Sequence, residues 1–407
     1  MLNLEKHPYF EKFTDPESGV VSYILTEKVG RVQQQFYFSE CSLTDDEKYL
    51  WIRCLNPPAN FVHLAVVSMD PDNPFIRSFP GAGTSNGSGY SIFPGTHDAV
   101  FTDGPAVYRI TVDGEITKIF ELDPEFVNYR YIERMFTHAS VSCDKKKILI
   151  DARIADTWYI GYAEVETGKV EILKSSGRLY DHGQFSPVDP ELFLVDQDWW
   201  RDSKSGEHML IENRMWIADT YGTRFEALYP DAWYHKCGYV ATHDYWSKDG
   251  TLCWVDYAYG AYECDLETRE AKHVWQRPIC HSHASFDRKY WCGDQSPYWW
   301  KQTPCKILFY DRETNKEIDL FSALPYPIVD RGGCYHLDPH PSFTNDDKYI
   351  ISTVTVRGGE VDVAITPVEP VIELCRKNGT TPPGKEYKWL EEKDPAKIKK
   401  MMDEREF

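Results

Sequence analysis

One pattern returns six times along the chain and limits what it can fold into. An apolar or aromatic residue is followed by Ser or Thr, a turn bearing Asp, Lys or a close neighbour, and an alternating apolar run. It reads CSLTDDEKYLWIR from Cys41, HASVSCDKKKILIDA from His138 and HGQFSPVDPELFLVD from His182. It reads again as HDYWSKDGTLCWVDY from His243, HASFDRKYWCGD from His283 and HPSFTNDDKYIISTV from His340. Asp-Gly and Asp-Asp turns between such runs are hairpins. A second hairpin follows each copy, as in YAEVETGKVEIL from Tyr162, YECDLETREAKHVW from Tyr262 and LFYDRETNKEIDL from Leu308. Two hairpins make a four-stranded blade, and copies begin about 40–60 residues apart, the spacing of propeller blades. A weaker copy around His97, THDAVFTDG, fills the gap between the first and the next and brings the number of blades to seven.

The expected fold is therefore all-β: a seven-bladed β-propeller forming one domain over 1–385. An N-terminal strand near Val21–Leu25 is expected to complete the last blade, so that no sheet edge stays open. The segment 386–407 is charged and Pro-interrupted. It reads as a short helical C-terminal tail, a surface appendage suited to a partner or to a homodimer contact.

Composition narrows the function. The net charge is −19, which argues against nucleic acid, since phosphate binding needs a basic face. No run approaches the roughly 18 apolar residues of a membrane span. The opening MLNLEKHPYFEKFTD has no apolar leader segment, and 11 cysteines are scattered without paired spacing. Both point to reduced thiols in the cytoplasm. Aromatic residues make up 14% of the chain, which suits β-structure and also stacking on sugar faces. The pairs Trp199-Trp200 and Trp299-Trp300 can each offer at most one ring to a sugar, because neighbours on a strand face opposite ways.

Five histidines fall at one phase of the repeat. His138, His243, His281 and His340 each lie six residues before the turn aspartate, which is Asp144, Asp249, Asp287 and Asp346; His182 lies seven before Asp189. If the strand entering that turn is innermost in each blade, these imidazoles converge on one channel. The competing reading is structural, with each His tying its blade to the turn Asp. His283 and His336 lie close by in sequence and favour a site. Imidazole is the commonest transition-metal ligand, so the pattern suits Mn, Zn, Ni or Fe better than Ca. In His336-Leu-Asp338-Pro-His340, alternate residues share a strand face, as do His281 and His283. A carboxylate with two or three imidazoles at such spacing can leave positions open for substrate.

These residues resemble the oligogalacturonate lyases, a family of cytoplasmic seven-bladed β-propeller pectate lyases, over about 15–368. FYFSECSLTDDEKYLWIR from Phe36 is similar to the family's first blade. GEHMLIENRMWIADTYGT from Gly206 resembles its His and Arg-Met-Trp motif, and THDYWSKDGTLCWVDY from Thr242 its Thr-His-aromatic-Trp element. HSHASFD from His281 and DPHPSFTNDD from Asp338 resemble its metal-binding strands. The resemblance implies His281 and His340 as metal ligands, and Arg214 and His243 as the catalytic pair with His208 nearby. Where the family has His before Pro-His, this chain has Asp338; where it has a ligand Gln, this chain has Tyr335. The implied metal shell is rebuilt from His281, His340, Asp338 and His336, with manganese the first expectation and Zn, Ni or Fe the others.

The implied reaction is β-elimination on a small anionic uronic-acid oligosaccharide, giving a 4,5-unsaturated product. His243 would take the C5 proton, while the metal and Arg214 bind the carboxylate. His138, His182, His283, Tyr245 and Tyr335 are the expected substrate contacts. Tyr245, Tyr257 and Tyr259 are read equally as core. The alternatives are a lyase for a glucuronate- or iduronate-containing oligomer, a hydrolase, which needs paired acids, and a non-catalytic carbohydrate- or protein-binding propeller.

Overall fold

The repeat becomes sheet through its Ser/Thr-x-Asp turn. Thr44, Ser142, Ser285 and Thr344 each donate their hydroxyl to the aspartate two residues on, Asp46, Asp144, Asp287 and Asp346. Each hydroxyl then accepts a backbone N–H from the strand beyond, at Tyr49, Lys147, Tyr290 and Tyr349. The residue after each turn aspartate has positive φ: Glu47, Lys145, Arg288, Asp347 and, in the fifth blade, Gly250. A short polar side chain that bonds its own backbone makes this reversal local and cheap.

A computed structural model describes residues 2–384 apart from 60, 85–88, 199, 203, 210–212, 229–240, 258, 296–304 and 330–336. His336, Tyr335, Trp199, Trp299, Trp300 and the tail 386–407 therefore lie outside the described residues. For His208 only the backbone is described, in a two-stranded ribbon where it pairs with Arg201.

Seven antiparallel sheets form the seven blades of a β-propeller. They fall into two compact units. Among the described residues, the first comprises 2–121 and 279–382 and holds four blades; the second comprises 122–278 with 383–384 and holds three. In the first unit the last blade has five strands. Its sheet runs Phe10–Thr14, Val21–Leu25, Asp362–Pro367, Tyr349–Val354, Ser342–Phe343. The expected strand at Val21–Leu25 is present, and a further one at Phe10–Thr14 covers its outer edge. Buried apolar side chains such as Trp51, Trp291 and Phe309 fill the space between these blades. The second unit packs Trp254, Leu194 and Ile217 in one cluster and Leu149, Phe193 and Val195 in another.

One element was not foreseen. Val368–Asn378 is a helix, in a stretch expected to remain propeller strand and loop. Val368, Val371 and Cys375 form its buried side, the three-to-four spacing of an amphipathic helix. Arg376 anchors it to Asp311 at 2.8 Å. Nine described cysteines are free thiols, and no described helix is long and apolar enough to cross a membrane.

Candidate functional site

Two of the in-phase histidines stand at irregular points of the first strand of their blades. His182 and Gly183 lie in a register shift between Asp181 and Gln184; His243 and Asp244 lie in one between Thr242 and Tyr245. His182, His243 and His340 all have φ near +50°, a region costly for a side chain with a Cβ and typical of functional positions. A bulge re-aims the side chain it carries, so the repeat does more here than alternate.

A second series of residues, which the search for histidines missed, backs them. Asp151, Asp196, Asp256 and Asp294 each lie seven residues after the turn aspartate of their blade. All four are buried. They sit inside apolar strand runs, where an acid reads as an interruption; their common distance from the turn was the signal available.

In the first unit, His281, Asp338 and His340 are buried, and their ligand atoms lie within 4.8 Å of one another. The imidazole rings of His281 and His340 are 4.4 Å apart at their centroids. Asp294 organises the cluster. Its carboxylate lies 3.0 Å and 3.1 Å from His281 Nδ1 and accepts the His340 backbone N–H at 2.9 Å. This fixes the His281 ring, the usual support of a metal-bound histidine. Tyr37 and Phe38 cover the rings, with centroids 4.7 Å from His340 and 5.3 Å from His281. Two imidazoles and one carboxylate at this spacing fit a divalent transition metal with open positions. His283 is used differently: its Nδ1 accepts the Phe343 N–H at 3.1 Å. The expected substrate contact therefore ties two strands of the fold together.

In the second unit the centre is a guanidinium. Arg214 directs Nη2 to Asp196 at 2.8 Å, Nη1 to Asp198 at 3.0 Å and Nε to Asp244 at 3.2 Å. It is buried. Of its five N–H donors two remain uncommitted to these acids. Burial pushes the Asp196 carboxyl well above the usual range, with the neighbouring Asp244 adding to it. The Arg214 charge acts the other way on Asp196, and all three acids face this one cation.

Beside it, His182 Nδ1 lies 2.7 Å from Asp181, whose other oxygen accepts from Arg134 at 2.8 Å. Burial pulls the His182 imidazole down, but the Asp181 charge more than offsets this and its pKa is raised. Burial, with the His182 and Arg134 charges adding to it, holds His138 well below the normal value, its ring 5.5 Å from that of His182. One imidazole is thus tuned to carry charge and its neighbour to stay neutral. Asp181, His182 and Asp198 also lie within 4.8 Å of one another. They do not suit a metal, because Arg134 and Arg214 already neutralise the two acids.

His243 is partly exposed, and its Nε2 is 3.4 Å from the Tyr257 hydroxyl. Tyr245, an expected substrate contact, is instead 1% exposed. An enclosed ring of this kind packs rather than meets ligand, so the core reading holds for Tyr245. Asp151 takes the backbone N–H of Thr137 at 2.6 Å and of Gly183 at 3.0 Å. It thereby joins the segments that carry His138 and His182. A Cβ on Gly183 would come within 2.7 Å of the Leu149 Cδ2 methyl, so a larger residue would have to push that side chain aside.

No family model matches the chain. It is 21% identical to the oligogalacturonate lyase of Dickeya dadantii over 388 residues, covering 86% of this chain and 94% of that one. It is 24% identical to the oligogalacturonide lyase of Pectobacterium atrosepticum over 212 residues, 48% of this chain and 52% of the other. Among solved structures it is similar to an oligogalacturonate lyase in complex with manganese, at TM-score 0.72 and 18% identity, covering 89% and 97% of the two chains. An oligogalacturonate lyase from Vibrio parahaemolyticus matches with the same score, identity and coverage. These likenesses bear out the propeller fold.

Proposed function

The chain is a distant member of the oligogalacturonate lyase family, and from that premise we propose that it cleaves uronic-acid oligosaccharides by β-elimination with the aid of a divalent metal. The observation that carries the reading is the buried His281, Asp338 and His340 group held by Asp294. His281, Asp338 and His340 would hold a divalent cation there, manganese by analogy with the solved relative, which would supply Lewis acidity toward a sugar carboxylate.

The remaining steps belong to side chains. The proton on C5 is weakly acidic because the adjacent carboxylate is already negative. Arg214 offers its two uncommitted N–H groups to that carboxylate. Neutral His243 takes the C5 proton at Nε2, the nitrogen beside Tyr257. The C5–H electrons form the C4–C5 double bond as the C4–O bond breaks, and the leaving oxygen takes a proton from water. A correctly placed base is worth about 10²–10⁴ in rate. His243→Ala is therefore expected to remain folded and lose about that factor in the absorbance of unsaturated product, while retention of wild-type turnover would end the assignment.

Asp338, standing where the family pattern has histidine, favours one second reading. The same elimination would act on a glucuronate- or iduronate-bearing oligomer. Absorbance measured with galacturonate di- and trimers against those uronides, with and without chelator, separates the two.

A further inference from the structure

Arg53 breaks the rule its repeat position follows elsewhere. It lies seven residues after the turn aspartate Asp46, where four later blades carry a buried aspartate. Its strand, Tyr49–Leu55, is the second of the first blade. The guanidinium is half-buried, and its Nε donates to the Gln35 carbonyl at 3.1 Å. Its Nη2 is enclosed and meets no acceptor among the described residues, and no described carboxylate pairs with it. In a chain of net charge −19, a shielded cation without an acid is expensive unless something anionic arrives.

Its surroundings say what arrives. The Gln35 side-chain amide bonds the His340 carbonyl. Tyr37, which packs on the His340 ring at 4.7 Å, is one of two tyrosines close enough to act on Arg53 electrostatically, the other being Tyr90. Arg53 thus borders the cluster that fits a metal, through Gln35 and Tyr37.

We propose that Arg53 is a carboxylate-binding residue that holds a sugar unit of the oligouronate other than the one being cleaved. The proposal rests on the lyase reading for its ligand, because the carboxylate of the cleaved unit is already assigned to the metal group and Arg214. A planar fork with free N–H groups is suited to bidentate capture of a carboxylate. Arg53 would make the enzyme prefer oligomers whose neighbouring unit is also acidic.

The test compares wild type, Arg53→Gln and Arg53→Lys on trigalacturonate and on its partly methyl-esterified form, with thermal stability measured with and without galacturonate or galactose. Losing a hydrogen-bonded charge contact corresponds to about 10- to 100-fold in affinity. Arg53→Gln is expected to raise KM for trigalacturonate by that factor with kcat nearly kept, and to lose discrimination against the ester. Arg53→Lys is expected to fall between. Without ligand, Arg53→Gln should be as stable as wild type or more so, whereas an arginine with a purely structural role would leave it less stable. Unchanged KM and ester discrimination in Arg53→Gln overturn the proposal, as does galacturonate stabilising wild type and variant alike, or neither. Galacturonate stabilising wild type but not Arg53→Gln, with no unsaturated product from any uronide, would keep the carboxylate site and end the lyase reading.

Discussion

His281 and His182 stand within one residue of the same phase in two copies of one repeat, yet the chemistry around them differs. Around His281 the charges are few. Asp294 fixes the ring, and the ligand atoms of the two imidazoles and Asp338 lie close together. Around His182 the charges are many and already matched: Asp181 with Arg134, and Asp196, Asp198 and Asp244 with Arg214. The first arrangement offers donors that fit a cation. The second contains its own. The difference teaches that repeat phase fixes where an imidazole stands, while the residues at the neighbouring phase decide whether it ligates, carries a proton or stays neutral.

Removing the resident cation is the strongest way to break this contrast. Arg214→Met leaves buried acids without a partner and is expected to destabilise the protein by about 3–5 kcal/mol. Urea denaturation would measure it, and a loss under 1 kcal/mol would mean the acids are not held by Arg214. In the other cluster, Asp294→Asn keeps the shape but weakens the orientation of His281. Metal affinity, titrated with manganese, should drop about 10- to 100-fold with little change in folding. Equal affinity would show that Asp294 does not support a metal ligand.

A smaller effect follows from the His182–Asp181 pair. The His182 pKa is raised, so its contribution to stability is complete below the unfolded value and disappears as pH rises through the folded one. The Asp181 pKa is lowered, so its share is present above the normal carboxylate value and lost as pH falls through the folded one. His182→Gln should therefore trail wild type by a few degrees in Tm at mildly acidic pH, with the gap closing as pH rises past the raised His182 value. A gap that widens with pH would reverse the assignment. The smallest effect is expected from Asp196→Asn. Burial raises the Asp196 pKa, so replacing its carboxyl by an amide should change stability by no more than about 0.5 kcal/mol; a large loss would show that its charge is needed opposite Arg214.

The six copies and their turn aspartates made the blades readable in advance, because Ser/Thr-x-Asp closes a hairpin with its own side chains. The histidine phase was readable for the same reason. The buried aspartates were not, since Asp196 and Asp294 sit within apolar runs and their partners come from distant parts of the sequence. The helix at Val368–Asn378 was hidden by the strand-like run before it, and its anchor Asp311 lies 65 residues away.

Sequence alone determined the blade number, the turns and the positions where imidazoles recur, because these depend on contacts between residues close together in the chain. Only tertiary structure decided that His283 ties strands, that Tyr245 is enclosed, that three aspartates clasp Arg214 and that no described aspartate pairs with Arg53. Those outcomes depend on which distant groups share a buried space, where an unmatched charge is costly and a matched one is neutralised.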